Sequence, residues 1–304
     1  MRKKSIFFLI VIFSLSTNAQ IKIEKIEGGV LVTEKSKKVL FYQVVPKSKD
    51  GEYERCNYIH PLWGVDGTVL TEDFPTDHLH HRGVFWAWHQ LWIGDQEIGD
   101  PWALIDFEQD VTKTEYKILK NGSGELKVEV DWKSEKWKKQ GEKVPYLKEN
   151  TTVTIHKQKA NYRKIDFEIR LLALEENLKI GGSDNEKGYS GFSVRMVLPE
   201  DIIFTGPNGE VTPEINAVKS EGYVNITGSL LDGNKKGGVV IIDNIENPGY
   251  PQNWILRKQK SMQNPAYPGR HAVPVSTTKP LILKYSLLVY SGELSDKKIQ
   301  KIIN

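Results

Sequence analysis

The sequence predicts an all-β fold, a large antiparallel β-sandwich in one domain, on three observations. Short runs alternate apolar and polar residues with a period of two, as in Ile165, Phe167, Ile169 and Leu171. Turn formers separate these runs, as at Gly28-Gly29 and Asn121-Gly122-Ser123-Gly124. Helical periodicity is almost absent. Only the tail, with Ser295 as N-cap and Ile299, Ile302 and Ile303 on one stripe, reads as a short helix.

The chain of 304 residues opens on Arg2-Lys3-Lys4, an apolar run from Ile6 to Phe13, and small polar residues ending at Ala19. That order predicts a secretory signal peptide over residues 1–19, because the apolar run is too short to span a bilayer. Residues 20–304 then form a single catalytic domain, exported to the periplasm or beyond. Ile21 to Ile26 and Val30 to Thr33 form a hairpin about Gly28-Gly29, and Val39 to Val45 adds a strand that stops at Pro46. Lys47 to Arg55 reads as a polar connection. Further on, Glu115–Lys120 with Glu125–Trp132 makes a second hairpin. The lysine-rich run Ser134 to Lys143 reads as a solvated loop or strand edge. Thr151–His156 and Lys164–Leu174 resume the alternation. In the next strand Phe192, Val194, Met196 and Leu198 share one face, which sends Ser193 and Arg195 to the other. Gly237–Asp243 and Leu281–Tyr290 complete the strands; Asn247–Pro251 and Asn264–Gly269 are rigid loops.

Setting aside residues 1–19 removes three positive charges from the 42 lysines and arginines, leaving 39 against 39 aspartates and glutamates. A balanced chain of this kind gives no reason to expect nucleic acid or a membrane surface as partner. Cys56 is the only cysteine, so no intramolecular disulfide supports the fold, and no cysteine follows the apolar run to carry a lipid anchor.

Chemistry concentrates between His60 and His89, which holds five of the seven histidines: His60, His78, His80, His81 and His89. Glu72, Asp73, Asp77 and Arg82 lie among them, beside Trp63, Phe85, Trp86 and Trp88. Histidine exchanges protons or holds metals near neutral pH, so three readings stand. His78 and His80, on one face of an extended segment, could ligate a metal with His60, His89 or Glu72 as third ligand. Alternatively, one histidine moves protons while another orients a substrate. In the third reading the histidines merely hold a long irregular segment in place. The absence of a recognisable third and fourth ligand spacing leads us to expect no metal and no cofactor. Arg82 could grip a carboxylate or sulfate, or pair internally with Asp73 or Asp77. Trp63, Trp86, Trp88 and Trp92 are either core residues or stacking platforms for a sugar. Tyr189, in a glycine-flanked loop, is a candidate proton donor or base; Arg195, Arg257, Arg270 and His271 are further binding candidates.

His60-Pro61, the run Asp66-Gly-Thr-Val-Leu-Thr-Glu-Asp-Phe-Pro75, and Asp77-His-Leu-His-His-Arg-Gly83 together resemble the PmoA-like proteins of Bacteroidetes and Planctomycetes. Gly188-x-Ser-Gly-x-Ser-Val-Arg195 and Asn247-Pro-x-Tyr-Pro-x-Asn-Trp254 extend the resemblance over most of the chain. It implies a secreted protein of polysaccharide degradation, similar to a dehydratase that forms an unsaturated uronic acid on ulvan oligosaccharides. The resemblance brings no catalytic assignment, so roles rest on chemistry. The expected reaction eliminates water across C4–C5 of a non-reducing-end uronate. His81 or His80 would take the C5 proton, with Tyr189 as the alternative base, and His78 or Tyr189 would protonate the leaving oxygen. Arg82 would hold the carboxylate, and His60, Trp88, His89 and Arg195 would bind the oligosaccharide. A glycoside hydrolase using Glu72, Asp73 or Asp77, or a non-catalytic sugar-binding module, are the alternatives.

Overall fold

The computed structural model describes residues 20–303, so the expected leader lies outside the described residues. Two nine-stranded antiparallel sheets face each other as an all-β sandwich. The first runs, in spatial order, Ile21–Ile26, Gly29–Glu34, Lys37–Gln43, Tyr58–Leu62, Val84–Trp88, Ser190–Arg195, Met262–Pro265, Asn253–Ile255 and Val218–Lys219. Glu108–Ile118, Gly124–Lys133, Leu147–Ile155 and Tyr162–Ala173 begin the second; Leu281–Ser291, Lys235–Asp243, Tyr223–Leu231, Ile203–Gly206 and Gly209–Glu210 follow. A four-stranded sheet at one end contains the hairpin Gln90–Ile93/Gln96–Gly99. The C-terminal helix spans Asp296–Ile303 and buries Ile299, as its apolar stripe requires.

Between the sheets lies the core. Val84, Trp86 and Trp88 project inward from one side, with Phe192 and Val194 from the neighbouring strand. They meet Trp132, Phe167 and Tyr285 of the opposing sheet, as in the stacked Phe192–Tyr285 pair at 4.7 Å. The Glu149 carboxylate sits in this apolar layer. It accepts from Asn57 and Trp86 on one sheet's side and from Trp132 and Thr151 on the other, at 2.6–3.0 Å.

The alternation that buries Trp86 and Trp88 turns Phe85 and Ala87 outward. There they form a second, smaller apolar cluster with Tyr58, Trp102, Ile255, Met262 and Ala266, against which Tyr189 packs. Loops cover this outer face of the first sheet, and the candidate site is built on it.

Several local expectations change. Lys47 to Arg55 is a two-stranded ribbon rather than a plain connection. The stretch between Leu198 and Gly237 contains the long strand Tyr223–Leu231, which is buried on both faces and therefore lacks clean alternation. Asn264 and Pro265 belong to a strand.

Candidate active site

Residues 73–83 leave the first sheet and return to it, closed by a bridge between Asp73 and Arg82 and by Gly83 N–H donating to the Glu72 carbonyl. The return requires glycine: a Cβ at Gly83 would sit 2.0 Å from the Ile59 carbonyl oxygen. Inside the loop His78 N–H donates to the Pro75 carbonyl and His81 N–H to the His78 carbonyl, so the segment is a pair of turns. This corrects the expectation of an extended H-x-H pair. The spacing that matters is His78 to His81, whose rings stack at 4.7 Å and 10°, with His80 set edge-on at 4.5 Å from His81.

Arg195 holds this loop. Its Nη1 and Nη2 bond Asp77 as a fork at 3.1 and 2.8 Å, its Nε bonds Glu72 at 2.6 Å, and Nη1 also donates to His81 Nδ1 at 3.2 Å. Guanidinium only donates, so His81 Nδ1 is the acceptor and Nε2 carries the proton. Burial, then the neighbouring His80 and His78, depress the His81 pKa to about 2. His81 is thus a buried neutral donor with its lone pair already engaged. The expected role as base does not fit it. Burial raises the Asp77 carboxyl, but hydrogen bonds from Arg195 and His78 outweigh this and hold it well below the usual carboxylate range. Asp77 in turn orients His78, whose Nδ1 lies 2.7 Å from Oδ2 while its ring faces solvent.

Arg82 also departs from its expected role. The side chain is fully buried, with Nε on Asp73, Nη1 on the Lys47 and Tyr53 carbonyls, and Nη2 on the Tyr58 hydroxyl. Its guanidinium also stacks on Phe74 at 3.5 Å. Nothing of it is left to meet a substrate carboxylate. Trp88 is likewise a core residue, its indole N–H on the Tyr267 carbonyl.

His89 lies just past the strand Val84–Trp88, half-buried, with Nδ1 2.9 Å from Asp100 Oδ2. Asp100 is fixed by the Ala103 N–H at 2.8 Å. A carboxylate only accepts, so His89 Nδ1 carries a proton, and in the neutral ring the lone pair is on Nε2. Trp102 ties the groups together: its ring stacks on His89 at 5.3 Å and also meets His81, Phe85 and Tyr189. Tyr189 accepts from Arg257 Nη2 at 3.0 Å. His80 is half-buried beside this group; burial, then the charge of Arg55, lowers its pKa to about 4. His60 stands apart on Thr71 Oγ1 at 3.0 Å, its pKa lowered by burial.

Asp100, Trp102 and Arg55 did not emerge from sequence reasoning. Asp100 could have: a hairpin brings its two ends together, and His89 and Asp100 flank the hairpin Gln90–Ile93/Gln96–Gly99. Of the weaker candidates, Arg257 joins the site through Tyr189, whereas Arg270 and His271 line a separate hollow of about 630 Å³ beside Gly188. A larger hollow of about 1020 Å³ lies at the first hairpin and holds no histidine. The histidine cluster is a patch on the outer sheet face rather than the lining of either hollow. Among the described residues no three His, Cys, Asp or Glu side chains converge as a metal would require.

A model of one protein family matches residues 29–304. The chain belongs to DUF6807, a family of unknown function. No curated protein matches it. As a member of DUF6807, the chain has its whole histidine loop, Arg195 and the His89–Asp100 pair inside the matched region.

Proposed function

We propose that this patch catalyses an acid–base elimination on a uronate-containing oligosaccharide, releasing water from C4–C5 of the non-reducing-end residue. The observation that carries the reading is the pair of histidine–carboxylate dyads, His89–Asp100 and His78–Asp77, beside one face of aromatic rings. A dyad leaves the far imidazole nitrogen basic and stabilises the imidazolium that forms when it takes a proton. In this reading His89 Nε2 removes the C5 proton, a role moved from His81 and His80. Electron density from the broken C5–H bond forms the C4–C5 double bond, and the C4 hydroxyl leaves as water after protonation by Tyr189 or His78. The uronate resemblance supplies the substrate class.

The hydrolase alternative is weaker because its carboxylates are engaged elsewhere. Asp73 is tied to Arg82 and Lys47, while Glu72 and Asp77 are tied to Arg195. Burial raises the Asp73 carboxyl, but Arg82 and Lys47 overcome this and keep it ionised, so it has no proton to give a leaving group.

Incubation with an oligosaccharide ending in saturated uronate tests the proposal. The product should lose the mass of one water and gain ultraviolet absorbance from the new double bond. Chain cleavage with gain of water would establish hydrolysis instead, and unaltered but retained sugar would establish a binding module.

A further inference from the structure

Among the described residues four arginines are buried: Arg55, Arg82, Arg163 and Arg195. Three have a carboxylate partner, Arg82 with Asp73, Arg163 with Glu34, and Arg195 with Glu72 and Asp77. Arg55 has none among the described residues. Its one hydrogen bond there is from Nη2 to the Pro101 carbonyl at 2.6 Å, and its Nε is buried without any acceptor. Carbonyl and ring contacts do not compensate a buried guanidinium: a charge taken out of water needs a counter-charge or a full set of acceptors. The Phe85 ring face, 5.0 Å from Cζ, offsets part of this cost.

The position of this uncompensated cation is informative. Pro101 stands between Asp100 and Trp102, the residues that orient and stack on His89. Phe85, beneath the guanidinium, also contacts His81 and Trp102. Arg55 therefore lies at the floor of the histidine cluster, at the point where the dyad, the aromatic ring and the neutral histidines meet.

We infer that Arg55 is the anion receptor of this site, and that the counter-charge missing from the protein is a carboxylate or sulfate oxygen of the bound sugar. The inference rests on the reading of the patch as a site for acidic sugars, and it restores the cation that Arg82 cannot supply. Elimination next to a carboxylate builds negative charge on that group, so a fixed guanidinium there would favour the transition state as well as binding. The surroundings fit. Burial, then Arg82, lowers the Arg55 pKa to about 9, a sign of a cation without enough nearby negative charge. Asp100 is the anionic side chain facing it, and it is already committed to His89 and Ala103. Of the other titratable neighbours, Arg82 is a second cation, Cys56 and Tyr58 are kept protonated by burial, and burial keeps His80 neutral.

The test uses chain 20–304 and three probes: glucuronate, its neutral counterpart methyl glucoside, and inorganic sulfate. Arg55 Nε–H, assigned by its loss in Arg55→Lys, is followed by NMR in the wild-type protein. Glucuronate should move that resonance, and Arg55→Met should weaken glucuronate binding at least tenfold while leaving methyl glucoside binding unchanged. Because Met removes an unpaired buried charge, the variant should melt no lower than the wild type, and glucuronate should raise the melting temperature of the wild type only. Sulfate moving the resonance with glucuronate silent would assign the receptor to a sulfate ester rather than the uronate carboxylate. A resonance that responds to neither anion overturns the inference, as does undiminished glucuronate binding by a folded Arg55→Met. Anion binding at Arg55 with no water lost from any uronate substrate would leave the receptor standing and remove the elimination.

Discussion

His81 and His89 differ by one hydrogen-bond partner, and that partner sets what each can do. Arg195 donates to His81 and takes its lone pair; Asp100 accepts from His89 and frees one. Substituting them should therefore have different consequences. His89→Ala should lower kcat by about a hundred- to ten-thousand-fold with the melting temperature nearly unchanged. His81→Ala should instead cost about 1–3 kcal/mol of stability, because it leaves an Arg195 donor unmet in the interior. Steady-state rates and urea midpoints of the two variants separate these outcomes, and equal effects on both quantities would refute the division of roles. At this scale the sequence announced the chemistry but not the assignments. Clustering singled out His78, His80, His81 and His89, since composition and spacing are local facts. The partners that decide tautomer and charge, Arg195 at 114 residues from His81 and Arg55 beside Pro101, are set by tertiary folding and leave no local mark.

Strands were easier to read than the segments between them. Leu147–Ile155 and Tyr162–Ala173 alternate because one face is buried and the other wet, and the same rule put Ser193 and Arg195 opposite Phe192 and Val194. Tyr223–Leu231 escaped because both its faces are covered, and the histidine loop escaped because turns, not extension, set its spacing. A different element carries a pH dependence. Asp243, at the end of the strand Lys235–Asp243, is 2 % exposed and anchors the loop after it through Asn247 Nδ2 and Gln252 N–H. Burial pushes its pKa from 3.8 up to about 6 against those hydrogen bonds. The folded state then holds a proton that the unfolded chain releases first, so Asp243 adds stability below pH 4 that is lost as pH rises through about 6. The amount is on the order of 3 kcal/mol. His80 and His81 act in the opposite sense: their depressed pKa values give stability that is lost as pH falls below the ordinary 6.5. Asp243→Asn isolates the first contribution. Between pH 4 and 6.5 its urea midpoint should rise more steeply with pH than that of the wild type, and parallel curves would contradict the assignment.

Across the whole molecule, the Glu149 carboxylate joins the two sheets from within the core. It satisfies two indoles, an amide and a hydroxyl contributed from both sides of the sandwich. Glutamine there keeps the size but offers one acceptor oxygen and presents N–H donors to donors. Glu149→Gln should therefore lose about 2–4 kcal/mol, read as a lower urea midpoint, and an unshifted midpoint would mean that these four hydrogen bonds do not hold the sheets together. A second long-range tie has a consequence in time rather than in stability. Arg195 reaches Asp77 across 118 residues of intervening chain, and closing so long a loop costs entropy before any bond offsets it. Local hairpins such as Ile21–Ile26 with Gly29–Glu34 can form long before that closure. The Asp77–His81 stretch of the histidine loop, by contrast, lacks its Arg195 anchor until the strand Ser190–Arg195 has docked beside Val84–Trp88. The Arg195-bound part of the histidine patch is thus among the last features to mature, and a chain that displays it has already assembled the sheet beneath it.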